Sequence, residues 1–140
     1  MPLFIWKPSY EVHIPEIDLE HRQLVGVIND LYEAMKLGHG YELVNQTIDA
    51  LLDYAQQHFA TEERFMRAGK YPGIADHEAE HKVFCEKVQA MDARRREGKQ
   101  LLSIEMMDFL CEWLRDHVTT TDKDMGRYLK RTLDDSGQGP

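Results

Sequence analysis

Cysteine is scarce in this chain: Cys85 and Cys111 are the only two in 140 residues. They can form at most one bridge and make no Cys-x-x-Cys site, so they read as buried thiols in a reducing, cytoplasmic compartment. Basic charge is also short. Lys and Arg number 17 against 25 Asp and Glu, a net charge of −8 that argues against nucleic acid as a partner. No apolar run approaches the roughly 20 residues that a bilayer span needs. The N-terminus lacks the basic-then-apolar order of a signal peptide and is interrupted by Pro2, Pro8 and Pro15. Strand-like alternation, internal repeats and low-complexity tracts are missing as well. What is plentiful is histidine, with seven residues. A histidine-rich, cysteine-poor chain is equipped to bind metal through imidazole.

The length suits one domain with a real core. Residues 1–17 read as an extended arm whose Phe4, Ile5, Trp6 and Tyr10 pack on the body. From Asp18, a plausible N-cap, Leu24, Val27, Ile28, Leu31 and Met35 recur at helical spacing, and Gly38 and Gly40 end the segment. A second helix is predicted from about Glu42 to Ala68, followed by the turn Gly69–Gly73. The third runs from Ile74 to about Glu97, with Arg94, Arg95 and Arg96 in its last turns and Gly98 closing it. The fourth starts near Ser103 and passes through Trp113 and Leu114 towards Leu129. The expectation is an all-α, up-down-up-down four-helix bundle over residues 18–132, with a flexible tail at 133–140 and a monomeric state.

Five histidines fall on these helices beside acidic residues or one another. The helices carry Asp18-x-x-His21, His58-x-x-x-Glu62, His77-x-x-x-His81 and His117-x-x-x-x-Asp122. Spacings of four put two side chains on one helical face. The spacing of five does not: on an ideal α-helix it turns the second side chain away by about 140°. Either that helix is distorted or Asp122 reaches in sideways. Measured along the helices from the turns at about 1.5 Å per residue, the ligands of all four reach one level to within roughly 5 Å. Scattered surface histidines have no reason to register in this way. His13 and His39 miss the level and read as solvent-facing, while Glu63, Glu78, Glu80 and Asp124 read as outer or surface charges.

Five imidazoles and two carboxylates are too many donors for one ion and too few oxygens for calcium or magnesium. Two transition-metal ions fit. His77, His81 and His117 serve one, His21 and His58 the other, and Glu62, Asp122 and a solvent oxygen are shared. An imidazole-rich pair with one open position suits iron and dioxygen.

The set Asp18-x-x-His21, His58-Phe59-x-x-Glu62-Glu63, His77-x-x-x-His81 and His117-x-x-x-x-Asp122 resembles the hemerythrins. The aromatic arm with Trp6 and Ile17-Asp18 is similar to that of their bacterial members. The resemblance implies reversible dioxygen binding at a non-haem pair of iron ions, for storage, transport or delivery to an oxygen-consuming enzyme. It also implies an apolar pocket, for which Leu24, Phe59, Trp113 and Leu114 are the candidate lining. Thr119, Thr120 and Thr121 are polar for such a setting. A sensor of O2, NO or iron and a di-iron oxidase or peroxidase are the alternatives, although oxidase bundles use more glutamates. His77-Glu78-Ala79-Glu80-His81 also fits the His-Glu-x-x-His pattern of zinc proteases. That reading leaves His21, His58, Glu62 and Asp122 without a role.

Overall fold

A computed structural model describes residues 3–94 and 99–137. Four rods make up the bundle: α1 (Pro15–Lys36), α2 (Val44–Ala68), α3 (Ile74–Arg94) and a long fourth rod. The fourth rod is α4 (Lys99–Trp113), a π-helical stretch (Leu114–Thr121) and α5 (Asp122–Gly137) in direct succession. This is the all-α four-helix bundle that the apolar spacing predicts.

Element boundaries differ from the sequence reading in instructive places. Helix α1 begins at Pro15, which occupies the first helical position, where its missing N–H costs nothing. Asp18 is therefore not an N-cap. It is buried in the first turn, and its carboxylate accepts the backbone N–H groups of Val12 (2.8 Å) and His13 (3.1 Å), fastening the arm to the bundle. Just past the end of the helix at Lys36, Gly38 takes φ +79° so that His39 N–H can reach back to the Ala34 carbonyl. Ser103 is not a start signal either: it is buried inside α4, which begins at Lys99. Arg95, Arg96 and Gly98, predicted to close the third helix, lie outside the described residues. Helix α5 continues to Gly137, past the predicted boundary at 132.

The apolar residues of the arm divide between contact and exposure. Phe4 and Trp6 lie against the core, and Phe4 exchanges two backbone hydrogen bonds with the Asn29 side chain, but Ile5 is 64% exposed. Replacing Asp18 by alanine orphans the Val12 and His13 N–H groups. Hydrogen bonds to a charged group are worth about 1.5–3 kcal/mol each, so the variant is expected to lose about 2 kcal/mol or more in urea unfolding while remaining helical by circular dichroism.

Buried apolar side chains form two compartments. The larger contains Leu24, Ile28, Leu31, Ile48, Leu51, Phe59, Phe84, Val88, Leu110 and Trp113 among others. The smaller contains Val12, Ile14, Ile17, Met66, Met125 and Leu129. Along three of the rods the change from one set to the other falls at a predicted ligand: His21 between Ile17 and Leu24, Glu62 between Phe59 and Met66, and Asp122 between Val118 and Met125. A polar layer divides the core across the bundle.

Candidate metal centre

Every predicted ligand is in that layer, and all seven are buried. Their donor atoms form two groups. Glu62, His77, His81, His117 and Asp122 each present one within 4.8 Å of the others, as do His21, His58, Glu62 and Asp122. Glu62 and Asp122 belong to both groups. These are the two carboxylates that the donor count assigns to both ions.

The local geometry shows what these atoms face. His21 Nε2 is 2.9 Å from Asp122 Oδ2 and 3.8 Å from Glu62 Oε2. His58 Nε2 is 3.3 Å from Glu62 Oε1, and His81 Nε2 is 3.0 Å from the same oxygen. On the other carboxylate, His77 Nε2 and His117 Nε2 lie 2.9 and 3.1 Å from Asp122 Oδ1. Yet His21, His58, His77 and His117 Nε2, Glu62 Oε2 and both Asp122 oxygens lack a properly aligned hydrogen bond. So many buried polar atoms converging without satisfying one another would be a heavy cost in a merely structural core. Imidazole nitrogen and carboxylate oxygen aimed at two shared points are the donors that a pair of transition-metal ions takes. The residues fit the group.

Two further carboxylates orient the rings from outside. Glu20 accepts from His58 Nδ1 at 2.9 Å and is held by the Thr61 hydroxyl at 3.2 Å. Glu80 accepts from His117 Nδ1 at 2.8 Å and is held by the Thr121 hydroxyl at 3.0 Å. An Nδ1–H bonded to a carboxylate fixes the tautomer that leaves Nε2 free as a ligand. Glu80 is among the outer charges that the sequence leads one to expect. Glu20 is not among them, although it adjoins His21 at the ligand level.

The electrostatics follow from burying opposite charges together. Burial works against a charged His58, but Glu62 and Glu20 outweigh it and push the ring up to about 10. Burial is likewise overcome at His77 by Asp122 and Glu62, again up to about 10. Burial and the Asp122 charge raise the Glu62 carboxyl, yet the surrounding histidines prevail and hold it well below its usual range. Asp122 goes the same way, held down by His117, His21 and His77 against its burial. Burial lowers His81.

The spacing of five resolves in the π stretch. With i→i+5 hydrogen bonding over Leu114–Thr121, Asp122 comes round to the face that carries His117. Thr119 and Thr120 turn outward and donate to the Arg115 carbonyl at 2.6 and 3.3 Å, and Thr121 holds Glu80, so none of the three makes the interior polar. Deleting Thr120 shortens the spacing to four, which an α-helix places on one face. Iron analysis of that deletion variant is expected to return the same two ions per chain.

Aromatic rings cover the layer on the side of the larger compartment. Phe59 stacks on His81 with centroids 3.9 Å apart, Trp113 stacks on His117 at 3.9 Å, and Tyr54 stacks on His58 at 4.8 Å. Leu24 and Leu114 are buried in the same compartment. Tyr54 escaped the sequence reading, although it precedes His58 by four residues just as Trp113 precedes His117. The protease pattern does not assemble: Glu78 points away from His77 and His81 to meet Arg67 at 3.5 Å, and is over a third exposed. His13 and His39 are exposed, as expected.

A four-helix bundle that gathers five imidazoles and two shared carboxylates at one level is a histidine-rich two-metal protein. Comparison with known families agrees: residues 12–129 match the hemerythrin HHE cation binding domain. A bacteriohemerythrin of Clostridium acetobutylicum is 32% identical over 126 residues, 87% of this chain and 98% of that protein. A bacteriohemerythrin of Stenotrophomonas maltophilia is 31% identical over 133 residues, 95% of this chain and 86% of that one. Myohemerythrin-1 of Phascolopsis gouldii is 31% identical over 123 residues, covering 85% of this chain and 88% of its own. The chain belongs to the hemerythrin family. Among the described residues no helix is long and apolar enough to cross a membrane.

Proposed function

We propose that this chain binds dioxygen reversibly at a pair of iron ions. His77, His81 and His117 would hold one ion and His21 and His58 the other, with Glu62 and Asp122 shared between them. The observation that carries the reading is the membership of Glu62 and Asp122 in both donor groups. A pair of iron ions held there would supply the reversible two-electron chemistry that binding of dioxygen requires. The protein's own work is to hold the donors and keep bulk water away. Glu20 and Glu80 keep His58 and His117 turned with Nε2 inward. Leu24, Phe59, Trp113 and Leu114 form an apolar wall beside the ligands, where a small nonpolar molecule loses little on leaving water. The donor set has five neutral imidazoles and only two carboxylates. Fewer anionic donors stabilise high oxidation states less, which favours release of intact dioxygen over cleavage of its bond. The physiological role is a store or carrier of oxygen for an oxygen-consuming enzyme.

The test is one optical experiment. Anaerobically reduced, iron-loaded protein is expected to gain a charge-transfer band in air, lose it under vacuum and regain it over repeated cycles. Irreversible bleaching with release of hydrogen peroxide overturns the carrier reading in favour of an oxidase.

A further inference from the structure

The wall of the larger compartment is not wholly apolar. Tyr54 is buried, and its hydroxyl oxygen makes no properly aligned hydrogen bond. A buried hydroxyl without a partner costs about 1–3 kcal/mol, so its presence needs a reason. The rings packed on it supply no free acceptor. It stacks on His58, whose Nδ1 is committed to Glu20 and whose Nε2 faces Glu62. Phe59 and Phe84 pack on it with centroids 5.7 Å away. Trp113 lies beside the phenol as well, but neither its indole N–H nor the Tyr54 hydroxyl makes a properly aligned hydrogen bond. An indole N–H only donates, so even a closer approach would leave the phenol hydrogen unused.

We propose that the Tyr54 hydroxyl is the protein's hydrogen-bond donor to the small ligand taken up on the His21–His58 side of the centre. The placement supports this: the ring lies flat on a histidine of the ion that the donor count leaves one ligand short, and in the compartment proposed to admit dioxygen. The donor would favour small ligands that accept a hydrogen bond, such as dioxygen once it has drawn electron density, or azide. It gives the phenol a partner when the site is filled. The proposal rests on the two-iron reading, and Tyr54 is a specificity-determining residue within it.

Azide is the probe, added to the oxidised, iron-loaded full chain and to its Tyr54→Phe variant. Three quantities are read: iron content, azide affinity from the charge-transfer band, and the infrared stretching frequency of bound azide. The variant is expected to keep two irons per chain, bind azide about tenfold more weakly, and shift the azide stretch. Its metal-free form is expected to melt no lower than the parent, because the hydroxyl it loses had no partner there. Equal azide affinity and an unmoved stretch overturn the proposal while leaving the two-iron reading intact. A lowered melting temperature with an unmoved stretch also overturns it, since it would make Tyr54 purely a packing residue. If the parent chain takes up no iron pair, the underlying reading falls, and this one with it.

Discussion

Glu62→Gln keeps the bundle folded and leaves the chain unable to hold two irons. Glu62 lies within 3.5 Å of His58, His77 and His81 through one oxygen and within 3.8 Å of His21 through the other. An amide of the same shape preserves the packing but removes the negative charge and replaces one donor oxygen by a hydrogen-bearing nitrogen. Both proposed ions lose a ligand together. Iron analysis is expected to fall from two to one or fewer per chain, and the oxygen-dependent absorption to vanish. Asp122→Asn should do the same, because Asp122 faces His21 through one oxygen and His77 and His117 through the other. Two irons with normal oxygenation in either variant would remove that residue from its shared position.

Stripping the metal should be the largest perturbation of stability, and it carries a sign in pH. Ions bound only by the folded state stabilise it by about 4 kcal/mol for each thousandfold excess over the dissociation constant. Two tight ions are therefore worth roughly 20 °C in melting temperature for a domain of this size. In the metal-free chain His58 and His77 sit at about 10, above the ordinary histidine value of 6.5. The stability they contribute is fully present below pH 6.5 and is lost as pH rises through 10. Glu62 and Asp122 are shifted down, so their contribution exists above the usual carboxylate range and fades in acid. Metal replaces those histidine protons and escapes the alkaline loss. The melting-temperature gap between loaded and stripped protein is expected to widen from pH 6.5 towards pH 9. A gap that narrowed would contradict the buried pairing described here.

Much of this was legible from spacing alone, and the reason is geometric. A helix repeats every 3.6 residues and rises uniformly, so Leu24, Ile28 and Leu31 announce a buried face and four sets of ligands announce a common height. The residues that resisted are those whose partners lie on another element. Asp18 looks like a cap until the arm is seen to fold back on it. Glu20 is one more surface acid until His58, 38 residues away, turns its Nδ1 towards it. Ser103 resembles a helix start, but buried packing carries α4 past it. The π stretch left one trace, the odd interval between His117 and Asp122, which stated the problem without giving its solution. Tyr54 left the opposite kind of trace: a regular interval easily absorbed into the core pattern.

The ligand layer also splits the bundle into unequal halves, with six buried apolar side chains, Val12 and Ile14 among them, on one side and many more on the other. Neither half is continuous with its counterpart except through the polar plate between them. Cooperativity in a small domain comes from every part leaning on the same core, and here the shared part is a set of mutually attracted charges rather than hydrocarbon. The centre is consequently the joint that makes one thermodynamic unit of two. The end beyond it, where Asp18 clasps the arm and α5 closes the bundle, is the portion whose order depends most on the joint being made.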